Sequence, residues 1–235
     1  MSGERLALLD GVAGLAPGVL LLERTGTLVA ADLHLGYEEV VGGVLPLWST
    51  AEQLGTLARL ALALRAREVI LLGDVLHGAR MSVQAARCIR GGLAKIVEAG
   101  CAVVAVAGNH EGRTRGVDVL GETVESVVRD GWHLLHGDRP LAREGRAIIG
   151  HLHPSLRLGG SRSAPVFLYS EQLVVLPALT PYSPGLSVLG DPCSRALRAW
   201  VDRPGALRVA AISDDRIVAF HTLAALRAAL RAASK

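Results

Sequence analysis

From Val19 to about Val106 short apolar runs alternate with longer segments of helical periodicity. Val19 to Leu22 and Thr27 to Ala31 predict two strands joined by a turn around Thr25-Gly26. Glu68 to Leu72 and Ala102 to Ala107 predict two more. Thr50 with Gln53 has the form of a capping box opening a helix to about Arg65. A second helix is expected from Ser82 to Ala99, closed by Gly100. Strands alternating with helices at this spacing imply βαβ units. Strands without polar alternation imply a sheet covered on both faces.

After Trp132 the pattern changes. Trp132 to Leu135, Ala147 to Ile149, Val166 to Tyr169, Leu173 to Leu176, Leu207 to Ile212 and Ile217 to Phe220 predict short strands between Gly, Pro and Ser. A short helix is expected around Ser194 to Val201, and Leu223 to Ala233 has amphipathic spacing. A βα half followed by a strand-rich half, with no linker, predicts an α/β two-sheet sandwich flanked by helices, a single domain over residues 1–235.

Composition narrows this picture. Half the 235 residues are hydrophobic and 3% are aromatic, so the core must be mostly Leu, Val, Ile and Ala. A formal charge of +3 neither requires nor excludes a phosphate-bearing partner. The three cysteines are widely spaced and form no metal knuckle, which fits a reducing cytoplasm. Asp10, Gly11, Gly14, Pro17 and Gly18 interrupt the apolar stretch from Leu6 to Leu22, and no run reaches the ~18 to 20 residues of a membrane span. The expectation is a soluble cytoplasmic protein with no membrane partner.

The chemistry lies at the strand ends. Thr27 to Ala31 ends in Asp32-Leu33-His34, and Val69 to Leu72 in Gly73-Asp74. Ala102 to Ala107 ends in Gly108-Asn109-His110-Glu111, Trp132 to Leu135 in His136-Gly137-Asp138, and Ala147 to Ile149 in Gly150-His151-Leu152-His153. The carboxyl ends of strands are where open α/β sheets place their ligands. Mixed oxygen and nitrogen donors suit Mn, Fe or Zn better than Ca or Mg. Two carboxylates, one amide and four imidazoles exceed the needs of one ion. They fit two, about 3.5 to 4 Å apart, sharing a bridging carboxylate. His136 competes with His133, three residues away on the same strand, and the strand end favours His136.

These words, in this order, resemble the calcineurin-like metallophosphoesterase superfamily: Asp-x-His, Gly-Asp, Gly-Asn-His-Glu, an isolated His-Gly and Gly-His-x-His. Ala31 to Glu38, Gly150 to Pro154, Leu176-Pro177-Ala178 and Gly185-Leu186-Ser187-Val188 look like the ICC-like branch. That branch includes ligase-associated DNA-damage-response phosphoesterases. The resemblance implies Asp32, His34, Asp74 and His153 around one metal and Asp74, Asn109, His136 and His151 around the other, with Asp74 bridging. His110 would face the substrate and stabilise or protonate the leaving oxygen, with Glu111 orienting an imidazole. Two divalent metals, foremost Mn with Fe or Zn as alternatives, would supply a bridging hydroxide at neutral pH.

The expected activity is phosphodiester hydrolysis, with DNA repair cleavage as one form of it and Asn109, His110 and Arg113 as substrate contacts. A phosphatase or small-nucleotide phosphodiesterase is the alternative enzyme, because the same site serves many esters. A non-catalytic, metal-stabilised module in a repair complex is the alternative of another class. About eighty residues follow Pro154, most of them needed by the second sheet, which leaves little for an added DNA-capping unit. His77 reads either as support behind the ligands or as a surface loop residue. Arg113 and Arg115 read as phosphate contacts or solvated loop residues. Arg227 and Arg231, four residues apart, read as a basic stripe for nucleic acid or, in better accord with the opposite apolar stripe of Leu223, Leu226 and Leu230, as the polar face of a docking helix.

Overall fold

The computed structural model describes residues 4–40, 46–78, 81–109, 117–140, 145–159 and 162–233. Two sheets lie face to face. Strands β1 (Arg5–Leu9), β2 (Val12–Leu15), β3 (Val19–Leu22), β4 (Thr27–Ala31), β5 (Glu68–Leu72), β6 (Ala102–Val106) and β7 (Thr123–Val124) form the first sheet in chain order. Its first four strands are antiparallel. From β4 to β7 the strands are parallel. The crossovers carry helices α1 (Trp48–Leu64), α2 (Val83–Glu98) and the single turn α3 (Val117–Leu120).

The second sheet comprises β8 (Ser126–Arg129), β9 (Trp132–Leu135), β10 (Arg146–Ile149), β11 (Pro154–Gly159), β12 (Arg162–Tyr169), β13 (Leu173–Val175), β14 (Leu186–Ser187), β15 (Arg208–Ser213) and β16 (Arg216–Thr222). Strands β9, β10 and β13 run parallel. Helices α4 (Asp191–Leu197) and α5 (Leu223–Ala233) complete the chain order.

Three apolar clusters explain why the strands lack polar alternation. Val29, Ala31, Ile70 and Leu72 face Trp132, Ile148, Phe167 and Val174 between the sheets. The alternate residues Leu28, Ala30, Val69 and Leu71 pack beneath Leu54 and Leu57 of α1 and Ile89 of α2. On the far side, Ile149, Leu168 and Val175 pack with Leu197 of α4 and Leu223 of α5. Each fully buried Leu, Ile or Val contributes about 1.5 to 3 kcal/mol, so both faces of these strands favour apolar side chains. Among the described residues, no helix is long and apolar enough to cross a membrane.

Several local expectations need correction. Thr50 does not cap α1, whose first residue is Trp48. Its hydroxyl donates to the buried Glu38 carboxylate at 2.8 Å and accepts from the Gly36 amide at 2.9 Å, while Gln53 reaches Ser49. A partner distant in sequence outcompetes the local box. Strands β1 and β2 lie where glycines suggested interruption. Gly14 stands inside β2 because the Phe167 ring of the facing sheet is 3.0 Å from where a Cβ would sit. Helix α4 begins and ends earlier than its sequence pattern indicated. Arg227 is turned inward, donating to the Val188 carbonyl and the Ser194 hydroxyl, so it anchors α5 to α4. Leu223 and Leu226 are buried, whereas Leu230 is 37% exposed.

Candidate metal centre

Strand register brings the polar residues together. Ala31 pairs with Leu72 and Leu72 with Val106, so β4, β5 and β6 end level. In the second sheet Leu135, Ile149 and Val175 are also in register. The two sets of ends meet: the His151 amide donates to Asp32 Oδ2 at 2.8 Å. The segment returning from β13 then runs beside β4, where the Leu179 amide donates to the Ala31 carbonyl at 2.9 Å.

The turns that follow these strands are strained. Among the described residues, eight besides glycine have left-handed backbone, and five of them are Asp32 (φ 51°), His34 (48°), Asp74 (42°), His151 (62°) and His153 (42°). Each such residue costs about 1 kcal/mol or more, a pattern that collects at functional sites. Backbone pairing holds the turns in place, with the His34 amide on the Asp74 carbonyl at 2.9 Å and the His77 amide on the Leu35 carbonyl at 3.0 Å. Glycine permits the close packing beneath them. A Cβ on Gly73, whose φ is 72°, would lie 2.1 Å from His136 Nδ1, and one on Gly108 would lie 2.2 Å from Asp74 Oδ1.

Two groups of donors result: Asp32, His34 and His153, and Asp74, His136 and His151. Within each group one donor atom per residue lies within 4.8 Å of the others. Asn109 joins the second group, its Oδ1 2.7 Å from His136 Nε2, and His151 Nδ1 stands 3.0 Å from the same nitrogen. Asp74 Oδ2 is 3.5 Å from His136 Nε2. Asp32 Oδ1 lies 3.4 Å from His153 Nε2 and 3.5 Å from His136 Nδ1, yet it is fully buried without an aligned hydrogen bond among the described residues. His136 Nδ1 is buried in the same condition. An unsatisfied buried carboxylate oxygen is costly, and a divalent cation between it and the imidazoles would offset that cost. The residues fit two divalent cations.

The electrostatics agree with that chemistry. Burial pushes His34 from its usual 6.5 down to about 4, outweighing the upward pull of Asp74 and Asp32. Burial, aided by His136, lowers His151 as well. Both imidazoles are therefore neutral near pH 7, the form that ligates a metal. His153 Nε2 faces Asp32 and its Nδ1 lies 2.7 Å from Ser183 Oγ. With Nε2 given to a cation, Nδ1 would carry the hydrogen and donate it to Ser183, which would hold the ring's orientation.

His77 resolves toward the site, with its Nδ1 3.4 Å from His34 Nδ1. His133 belongs to neither donor group. His110, Glu111, Arg113 and Arg115 lie outside the described residues. Sequence reading missed Ser183, and also Tyr37 and Tyr182, which stack at 4.7 Å beside His77. The available signal was a Tyr-Ser pair between Pro181 and Pro184 in a chain poor in aromatics.

No family model and no curated protein matches this sequence. Among solved structures, the chain is similar to the crystal structure of the Pseudomonas putida nuclease MPE. The identity is 22% and the TM-score 0.70, over 93% of this chain and 100% of the other. At that identity the likeness concerns the fold, a two-sheet α/β sandwich.

Proposed function

We propose that this protein is a dinuclear metal-dependent phosphoesterase that hydrolyses phosphodiesters, with nucleic acid as its substrate class. The observation that carries the reading is the pair of donor groups converging on the buried, unsatisfied Asp32 oxygen. The nuclease name of the structural neighbour supports the substrate class. Among the words that resemble the calcineurin-like superfamily, Asp32-Leu33-His34, Gly73-Asp74, His136-Gly137 and Gly150-His151-Leu152-His153 occupy these same turns, and the first and last lie within words of its ICC-like branch, which supports that reading. The core between the sheets draws on both, which supports one domain over residues 1–235. The three free cysteines support a cytoplasmic setting.

Asp32, His34 and His153 would hold one ion and Asp74, Asn109, His136 and His151 the other, with Asp74 shared between them. Bound divalent ions, Mn foremost, supply Lewis acidity toward phosphoryl oxygens and make a water acidic enough to attack at neutral pH. The chain supplies the rest. Asp32 and Asp74 place negative charge opposite the cations, and burial keeps His34 and His151 unprotonated. Ser183 aims His153. His110, next in sequence to Asn109, is proposed to give a proton to the leaving oxygen, with Glu111 orienting an imidazole and Arg113 near the phosphate.

The test is Mn-dependent cleavage of end-labelled single-stranded and nicked DNA, with Asp74→Asn as control. The variant should lose roughly 10³-fold or more in rate, because metal stabilisation of the transition state amounts to several kcal/mol. Unchanged metal content and cleavage in Asp74→Asn would overturn the site. Mutant-sensitive hydrolysis of bis-p-nitrophenyl phosphate without DNA cleavage would move the substrate to a small phosphodiester.

A further inference from the structure

A cavity of about 220 Å³ opens beside the first donor group, lined by His34, Tyr37, His77, His153 and Tyr182. Its walls form a continuous row of rings. His153 meets His34 edge-on at 5.4 Å, His34 meets His77 at 5.4 Å, and His77 meets Tyr37 at 4.4 Å. Tyr37 then stacks on Tyr182 at 4.7 Å with the planes 21° apart. The row runs from the candidate metal ligands to a tyrosine that is 42% exposed.

Core packing does not account for this placement. The chain has three tyrosines, and one, Tyr169, is buried between the sheets. The other two stand at the mouth of the same cavity. Tyr37 is also held rigidly. The Glu38 carboxylate next to it is buried and accepts from the Thr50 amide at 2.9 Å and hydroxyl at 2.8 Å, and Thr50 Oγ1 accepts the Gly36 amide. These contacts tie the residues on both sides of Tyr37 to helix α1. The volume is below the roughly 300 to 1,000 Å³ of a drug-sized site, which suits one planar ring system and not a base pair.

Resting on the phosphodiesterase reading above, we infer that Tyr37 and Tyr182 form a nucleobase-stacking subsite, which seats one unpaired base while the adjoining phosphodiester reaches the Asp32, His34 and His153 group. Every base has a π-face, so stacking on tyrosine is tolerant of sequence and selects for a base free of its partner. His77 stands in the row between Tyr37 and the ligand His34. Tyr182 is a specificity-determining residue, and Glu38 and Thr50 are positioning residues that act through Tyr37.

The full-length protein is titrated in calcium with a short single-stranded oligodeoxynucleotide carrying one 2-aminopurine. Anisotropy reports affinity, and the quenching of 2-aminopurine reports stacking. Tyr182→Ala should weaken binding at least about fivefold and remove the quenching, and Tyr182→Trp should retain both. An abasic residue in place of the 2-aminopurine should weaken wild-type binding by the same factor, with no further loss in Tyr182→Ala. A Tyr182→Ala penalty of equal size on the dinucleotide TpT assigns the site to any base-bearing phosphodiester. A penalty confined to the oligonucleotide assigns it to nucleic acid. Affinity within twofold of wild type and intact quenching in Tyr182→Ala would overturn the subsite. Bis-p-nitrophenyl phosphate hydrolysis separates the two ideas. If it falls in Asp74→Asn while Tyr182→Ala binds normally, only the subsite fails. If Tyr182 governs binding in a protein that hydrolyses no ester, only the enzyme reading fails.

Discussion

The two halves of the candidate metal centre differ in how far along the chain their supports lie. In the Asp74, His136 and His151 half close contact adds to polar pairing, with His136 Nε2 2.7 Å from Asn109 Oδ1 and 3.0 Å from His151 Nδ1. His136 is 2% exposed, and its ring occupies the space a side chain on Gly73 would take. The Asp32, His34 and His153 half is close-packed at Asp32, where a Cβ on Gly150 would lie 2.5 Å from Oδ2, and it is also tied by hydrogen bonds from elements far apart in the chain. Asp32 accepts the His151 amide, His34 hangs from the Asp74 carbonyl, and His153 is tied to Ser183. It is also the half that opens on the aromatic cavity. Asp32 and His34 are buried in that half and His153 is partly exposed, so the cavity meets the centre at the His153 edge.

The sharpest way to break this contrast is Gly73→Ala. The new methyl would collide with His136 on a backbone that alanine adopts poorly, at a cost of about 2 to 4 kcal/mol. The urea midpoint should drop and one of two bound metals should be lost from the purified protein. An unchanged midpoint with full metal content would show that His136 is not sterically held. Ser183→Ala should act on the other half alone, weakening one metal about 10- to 100-fold while the second titrates as before. Equal weakening of both in a calorimetric metal titration would make the two halves a single unit. The smallest effect is expected from Thr50→Val, which leaves Glu38 buried with one partner fewer. Stability should fall by about 1 to 2 kcal/mol in urea unfolding, with metal content intact. A loss of metal there would extend the hydrogen-bonded half beyond Tyr37.

Much of the framework was legible in the sequence, and particular residues show where legibility ended. The mainly apolar runs Glu68–Leu72 and Trp132–Leu135 announced strands with the bounds observed. The Asp, Asn and His residues after five such runs announced a shared site. Thr50 misled because a capping box is a local pattern, and its real partner, Glu38, lies twelve residues earlier. Arg227 misled because amphipathic spacing marks a polar face without saying whether protein or water lies beyond it. Gly14 hid β2 because a glycine reads as a breaker until the ring of Phe167 is seen above it.

By itself the sequence determined the two-sheet class, the strand ends and the candidate donors, because each depends on residues a few positions apart. Only the tertiary structure decided which donors share a group, that Asp32 Oδ1 stands between imidazoles of two different strands, that Ser183 meets His153, and that Tyr37 and Tyr182 stack. Periodicity records how one segment faces its surroundings. It carries no information on which distant segment packs opposite, and that pairing emerges when register and sheet stacking bring separated residues together.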